Sequence, residues 1–139
     1  MVINVYTDGG SRGNPGISGY GLVVYDQDNS IVFKESKFLG IKTNNEAEYM
    51  GLIGALTWIS QNKDDFGITE VNLFSDSQLL VRQVIGQYKV KAVHLKPLHQ
   101  SVLQLISQIN LPYHFRDVRR ESNELADELA NLAMDQKNR

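Results

Sequence analysis

The first hydrophobic run, Val2-Ile3-Asn4-Val5-Tyr6-Thr7, is apolar on both parities, as expected of a central strand covered on both faces. Tyr20-Gly21-Leu22-Val23-Val24-Tyr25 and Ile31-Val32-Phe33-Lys34-Glu35-Ser36-Lys37 read as two further strands. The polar links between the three are short, which favours an antiparallel meander. The period then changes. Thr43-Asn44-Asn45-Glu46 matches a capping box, in which the threonine and glutamate side chains each satisfy an orphan N–H. A helix follows to about Asn62, with Leu52, Ala55, Leu56 and Ile59 on one stripe. Thr69–Ser75 is a fourth strand ending at Asp76, and Ser77–Ile85 is a short helix that Gly86 stops. A mixed loop leads to a helix from Lys96-Pro97 to about Ile109, its apolar side formed by Leu98, Val102, Leu105, Ile106 and Ile109. Tyr113–Val118 is a fifth strand. The last helix begins near Ser122 and carries Ala126, Leu129, Ala130 and Ala133 on its apolar stripe.

A meander followed by strand–helix alternation predicts an α/β fold, with helices against a mixed sheet. If strands one and four are neighbours, the chain reverses its direction of growth between them. Open sheets bind ligands at such switch points. Asp8, just after strand one, and Asp76, at the end of strand four, would then lie side by side.

Two more acids join them. Glu48 lies one turn before Leu52, so its carboxylate points along the sheet-facing side of the helix; Glu46 already has a structural role in the capping box. An unpaired buried carboxylate is costly, and Glu48 therefore calls for a partner. Asp127 stands at the border of the last apolar stripe, one turn after Asn123. Three of the four acids have a plain structural reading: an Asp-Gly turn for Asp8, a helix cap for Asp76, a favourable helix-dipole position for Asp127. Together they form a pattern. Four carboxylates share a small site only with cations, since like charges raise one another's pKa. An oxygen-only donor set suits Mg²⁺, with Mn²⁺ as a substitute. Two such ions about 4 Å apart stabilise the attacking and leaving oxygens of an in-line phosphoryl displacement. The glycines after Asp8 are expected to let another backbone or a phosphate come close.

The 139 residues fit one domain, taken as residues 1–139. The absence of cysteine excludes disulfides, thiolate metal sites and cysteine nucleophiles. No apolar run approaches the ~20 residues that span a bilayer, and the N-terminus shows no signal-peptide pattern. A soluble cytoplasmic protein, monomeric and without membrane association, is the expectation. The net charge of −2 hides an asymmetry. Seven Lys/Arg and one acid lie between Arg82 and Arg120, a local basic footprint suited to a polyanion.

The chain resembles a type 1 ribonuclease H along almost its whole length. The matching stretches are Tyr6–Ser11 with Gly13–Gly16, Thr43–Glu48, Phe74–Gln78 and Asn123–Ala130, in order and at compatible spacing. The resemblance implies a ribonuclease H-like α/β fold whose five-stranded mixed sheet has order 3-2-1-4-5. It implies Mg²⁺-dependent cleavage of the RNA strand of an RNA–DNA hybrid, leaving 5′-phosphate and 3′-hydroxyl ends. Asp8, Glu48, Asp76 and Asp127 would be the catalytic metal ligands. Asn14, Asn44, Asn45 and Gln78 match positions that contact 2′-hydroxyls or bases, and Thr43 matches one near a DNA phosphate. Many family members carry a histidine-bearing loop before the last helix; Val118–Asn123 here is shorter and has none, with Arg120, Glu121 and Glu124 as candidate substitutes. Many bacterial members also carry a basic, tryptophan-rich insertion. Here only Gly86–Lys91 stands in its place, with Tyr88, Lys89 and Lys91 the candidates for gripping the hybrid. This shorter pattern resembles a compact subgroup whose members also cut double-stranded RNA. Two alternatives follow: a nuclease acting mainly on double-stranded RNA or RNA–DNA junctions, and an inactive hybrid-binding module. The complete acid set argues against the second.

Overall fold

The computed structural model describes residues 1–136. Five strands form one mixed sheet in the order β3-β2-β1-β4-β5. They are β1 (Val2–Arg12), β2 (Gly16–Tyr25), β3 (Ile31–Lys42), β4 (Glu70–Ser75) and β5 (Tyr113–Asp117). The helices are α1 (Asn44–Phe66), α2 (Gln78–Val84), α3 (Lys96–Ile109) and α4 (Glu124–Asp135), with 3-10 turns at Val93–Leu95 and Arg120–Ser122. β1, β2 and β3 are the antiparallel meander. β4 returns parallel to β1, and β5 parallel to β4. The expected order and switch point are both present.

The core lies between the sheet and α1 and α3. Ile3, Val5, Leu22, Val24, Val71 and Leu73 face it from the strands, and Leu52, Ala55, Leu56 and Ile59 from α1; all are buried. The capping box is also observed. Thr43 Oγ1 accepts from Glu46 N at 3.1 Å, and Glu46 Oε1 accepts from Thr43 N at 2.9 Å. α1 continues one turn past Asn62 and ends at Gly67, in the left-handed conformation that glycine tolerates.

The meander strands are longer than expected, and this changes the reading of the glycines. β1 does not stop at Thr7. Its pairing with β2 continues through Asp8↔Gly21 and Gly10↔Gly19 to Arg12↔Ile17, so only Gly13–Pro15 turn the corner. Gly9 and Gly10 are strand residues that also line the carboxylate cleft, and the close approach that Gly9 permits is that of the α1 backbone. A Cβ on Gly9 would sit 2.4 Å from the Ala47 carbonyl carbon and oxygen. Across the sheet, a Cβ on Gly21 would sit 2.2 Å from Ala126 O, where α4 crosses β2. These glycines bring α1 and α4 closer to the sheet than any side chain would allow.

Gly9→Ala is therefore expected to cost about 2 kcal/mol or more in denaturant unfolding, because backbone must move. Gly10→Ala meets only the Met134 methyl, at 3.2 Å, and is expected to cost less than about 1 kcal/mol. Equal costs would contradict this packing account.

Candidate active site

β1 and β4 run parallel with Thr7 opposite Ser75, so the residues that follow, Asp8 and Asp76, emerge side by side. α1 crosses the end of β1 at the Gly9–Ala47 contact and delivers Glu48. The side chains of Asp8, Glu48 and Asp76 each offer an oxygen lying within 4.8 Å of the others. Asp127, in the first turn of α4, lines the same cleft as these three.

Asp76 does not cap the following helix. Ser77 does, its Oγ accepting from Leu80 N at 3.2 Å, so the carboxylate of Asp76 is left for the cleft. Glu48 is held from two sides. Gly9 N donates to Oε1 at 3.2 Å and Ser75 Oγ donates to Oε2 at 3.4 Å. Behind the cleft, Asn123 Nδ2 donates to Thr7 O at 2.9 Å and ties the start of α4 to β1.

Among the described residues, no buried cation offsets this charge. Arg120 is the basic group in an ion pair with the cluster, its Nε 3.9 Å from Asp76 Oδ2, and its side chain is 85% exposed. Such a pair contributes little. Burial, then the Glu48 and Asp76 charges, push the Asp8 carboxyl well above its ordinary range. Glu48 is pushed up by burial and by Asp76, against the opposing effect of its hydrogen bonds. Buried carboxylates that repel one another, with hydrogen bonds fixing their orientation, fit a hard divalent cation bound through oxygen. The donor set has no sulfur or imidazole.

The other expected contacts divide. Asn14 Oδ1 accepts from Asn44 N at 3.0 Å, and Asn44 Oδ1 accepts from Ser11 N at 2.7 Å, locking the β1–β2 turn to the start of α1. Asn45 lines the cleft, and Gln78 is exposed on the first turn of α2. Thr43 is occupied as the N-cap. Tyr88 and Lys89 line a separate shallow groove beside α3, and Lys91 is exposed on the loop nearby. Tyr88 Oη accepts from Arg82 Nη1 at 2.6 Å, with the guanidinium 5.4 Å from the ring centroid. The basic residues of the Arg82–Arg120 segment are distributed over α2, the loop, α3, β5 and the turn before α4. Arg120 is the one among them that lines the carboxylate cleft.

Sequence reasoning assigned no role to Ser75 or Arg12. Ser75 supports Glu48 from the last position of β4, and its place directly before Asp76 was the available signal. Arg12 lines the cleft and pairs with Asp135 at 2.5 Å. Its partner lies more than a hundred residues away, and no local pattern announces it.

The family model described as reverse transcriptase-like matches residues 6–133. A ribonuclease H of Ruthia magnifica is 35% identical, the match covering 96% of this chain and 95% of that one. This chain belongs to the ribonuclease H family. A bifunctional protein of Mycobacterium tuberculosis is 44% identical over 97% of this chain, which spans only 36% of that protein's length. Among solved structures, the compost-derived LC11 ribonuclease H1, in complex with an RNA/DNA hybrid, superposes with a TM-score of 0.92 at 39% identity, with 99% of each chain covered. The shared length and the short α2–α3 connection agree with the compact type 1 form of the ribonuclease H fold.

Carboxyls whose pKa is raised on folding weaken the fold as pH rises from the ordinary carboxylate range, near 4, toward neutrality. The metal-free protein should therefore lose thermal stability between about pH 5 and pH 8. Millimolar Mg²⁺ should restore more at pH 8 than at pH 5. Asp8→Asn should flatten the pH dependence and raise metal-free stability at pH 8 by roughly 1 kcal/mol or more. A pH-independent melting temperature, or no Mg²⁺ effect, would contradict the electrostatic account.

Proposed function

We propose that the protein is a divalent-metal-dependent endoribonuclease that hydrolyses the RNA strand of RNA–DNA hybrids, leaving 5′-phosphate and 3′-hydroxyl ends. The observation that carries this reading is the meeting of Asp8, Glu48 and Asp76 within 4.8 Å, at the switch point of a ribonuclease H fold. The hybrid seen bound to the LC11 relative supports the choice of substrate.

Asp8, Glu48, Asp76 and Asp127 would hold Mg²⁺, two ions during catalysis, or Mn²⁺ in its place. Bound cations of this kind supply charge neutralisation at the attacking and leaving oxygens of an in-line phosphoryl displacement. Gly9 N and Ser75 Oγ keep Glu48 from turning away. Asn14 and Asn44 use their Oδ1 atoms on main-chain N–H groups, which leaves their Nδ2 donors for a ribose 2′-hydroxyl. Asn45, which lines the cleft, and Gln78, exposed at the start of α2, offer further amides. The 2′-hydroxyl is what distinguishes RNA from DNA, so these amides select the cleaved strand. Thr43 would approach a DNA phosphate while capping α1. Tyr88, Lys89 and Lys91 would grip the hybrid away from the cleft.

All four acids come from one chain, which supports action as a monomer and residues 1–139 as one catalytic domain. Among the described residues no helix is long and apolar enough to cross a membrane, and a nucleic-acid substrate accords with a cytoplasmic location. The short Ile85–Ala92 connection between α2 and the turn before α3 favours a second reading, in which double-stranded RNA or RNA–DNA junctions are also cut.

Cleavage of an end-labelled hybrid by two variants tests the site. Glu48→Gln should lower the rate by at least about a hundredfold, the scale of losing one preorganised electrostatic group. Glu46→Gln should change it less than about threefold, since it touches only the helix cap. The reverse ranking would overturn the assignment. Separately, Lys89→Ala combined with Lys91→Ala should reduce the slope of log binding against log salt by roughly 1 to 2. An unchanged slope would move the grip elsewhere.

A further inference from the structure

On the face of the sheet opposite α1, α4 covers only part of the strands and leaves a second cavity of about 230 Å³, distinct from the carboxylate cleft. Its floor is aromatic. Tyr6 and Tyr25 meet in a T-shaped pair, with centroids 5.7 Å apart, and Phe74 on the neighbouring strand stacks beside Tyr6 at 4.7 Å. Asn4 and Asn29 line the walls, together with Asn123 and Glu124 at the start of α4. Asn123 is the N-cap residue, yet it caps nothing: its Nδ2 is spent on Thr7 O, so the N–H groups of the first turn of α4 lack a side-chain cap. The same side chain is 2% exposed and leaves its Oδ1 without a partner.

Buried polar groups and helix ends normally find partners. Here the uncapped start of α4 borders a cavity whose lining includes Tyr6 and Tyr25. The cavity lining includes no lysine or arginine and does include Glu124, which disfavours a phosphate or a carboxylate. A flat, neutral ring with both donors and acceptors on its edge satisfies every wall at once. Bases meet that description: each has a π-face that stacks on aromatic side chains and an edge that pairs with amides. The volume suits one base, not a base pair.

We propose that this cavity is a nucleobase site, taking one unpaired base or nucleoside against the Tyr6–Tyr25 floor, with Asn4, Asn29 and the open N–H groups of α4 reading its edge. The inference rests on the cavity alone and not on the cleavage reading. Tyr6 precedes Asp8 by two residues, about 7 Å along a strand, so a strand lying at the carboxylates could also supply the base. The occupant is then either a free nucleoside or an unpaired nucleotide of a bound strand.

Calorimetric titration of the full chain with adenosine, uridine and ribose tests the proposal, on wild type and on Asp8→Asn, Tyr25→Ala and Tyr25→Leu. Both nucleosides should bind wild type and Asp8→Asn alike, and ribose should not bind. Both Tyr25 variants should bind about tenfold more weakly, the scale of losing one stacking partner. Tyr25→Leu keeps apolar bulk and guards against loss of fold, which circular dichroism checks. A hybrid carrying one bulged nucleotide, compared with a flush hybrid on Asp8→Asn protein, separates the two sources. A preference for the bulge that Tyr25→Leu abolishes identifies the strand as the source, and nucleoside binding without that preference identifies the free ligand. Absence of nucleoside binding at solubility-limited concentration, or binding that is insensitive to both Tyr25 variants, overturns the proposal. Because Asp8→Asn leaves the expected binding intact, failure here is distinguishable from failure of the metal site.

Discussion

Like charges at close range are the constraint on which the rest of this structure depends. Asp8, Glu48 and Asp76 meet within 4.8 Å on three different elements, and the protein supplies no buried cation to offset them. Left to itself, such a cluster would splay or take up protons. It stays assembled because the backbone holds it. Parallel pairing of β1 with β4 fixes Asp8 beside Asp76, and Gly9 lets α1 approach until the Gly9 N–H reaches Glu48. The missing side chain at one glycine and the placement of one carboxylate are thus the same structural fact.

That arrangement links stability to function. The metal-free fold is expected to carry a penalty that grows with pH, which a bound divalent cation would relieve. The electrostatic strain that weakens the protein alone is the affinity that the site offers a cation. The cap on α1 contributes from a distance. By pairing Glu46 Oε1 with Thr43 N and Thr43 Oγ1 with Glu46 N, it fixes where the helix begins and hence where Glu48 points. Asn123 does the same for α4 and Asp127 by anchoring to Thr7 O.

Much of this was legible in the sequence because it is local. The capping box separated Glu46 from Glu48 on spacing alone, and the apolar stripes of α1 and α3 placed the core faces correctly. The four acids stood out by their placement, and the strand order came with the family resemblance, which four separate motifs carried. What escaped was long-range. The glycines after Asp8 read as loop chemistry because Asp-Gly and Gly-Gly are turn signals; only the pairing with Ile17–Gly21 makes them strand. The reason for Gly21 lies in α4, about a hundred residues later. Ser77, not Asp76, caps α2, a choice between two adjacent good cap residues that propensity cannot make. Arg12 and Ser75 joined the site through partners that no periodicity reveals.

The central claim is that the carboxylate cluster serves metal-dependent cleavage of RNA paired with DNA. Its most direct test is incubation of the protein with end-labelled RNA–DNA, RNA–RNA and DNA–DNA duplexes, with and without Mg²⁺. The account predicts internal cuts in the RNA strand of the hybrid only when Mg²⁺ is present, with 5′-phosphate on the new ends, and no cutting of DNA–DNA. Cleavage of the hybrid in the presence of excess chelator, or equal cutting of DNA–DNA, would contradict it.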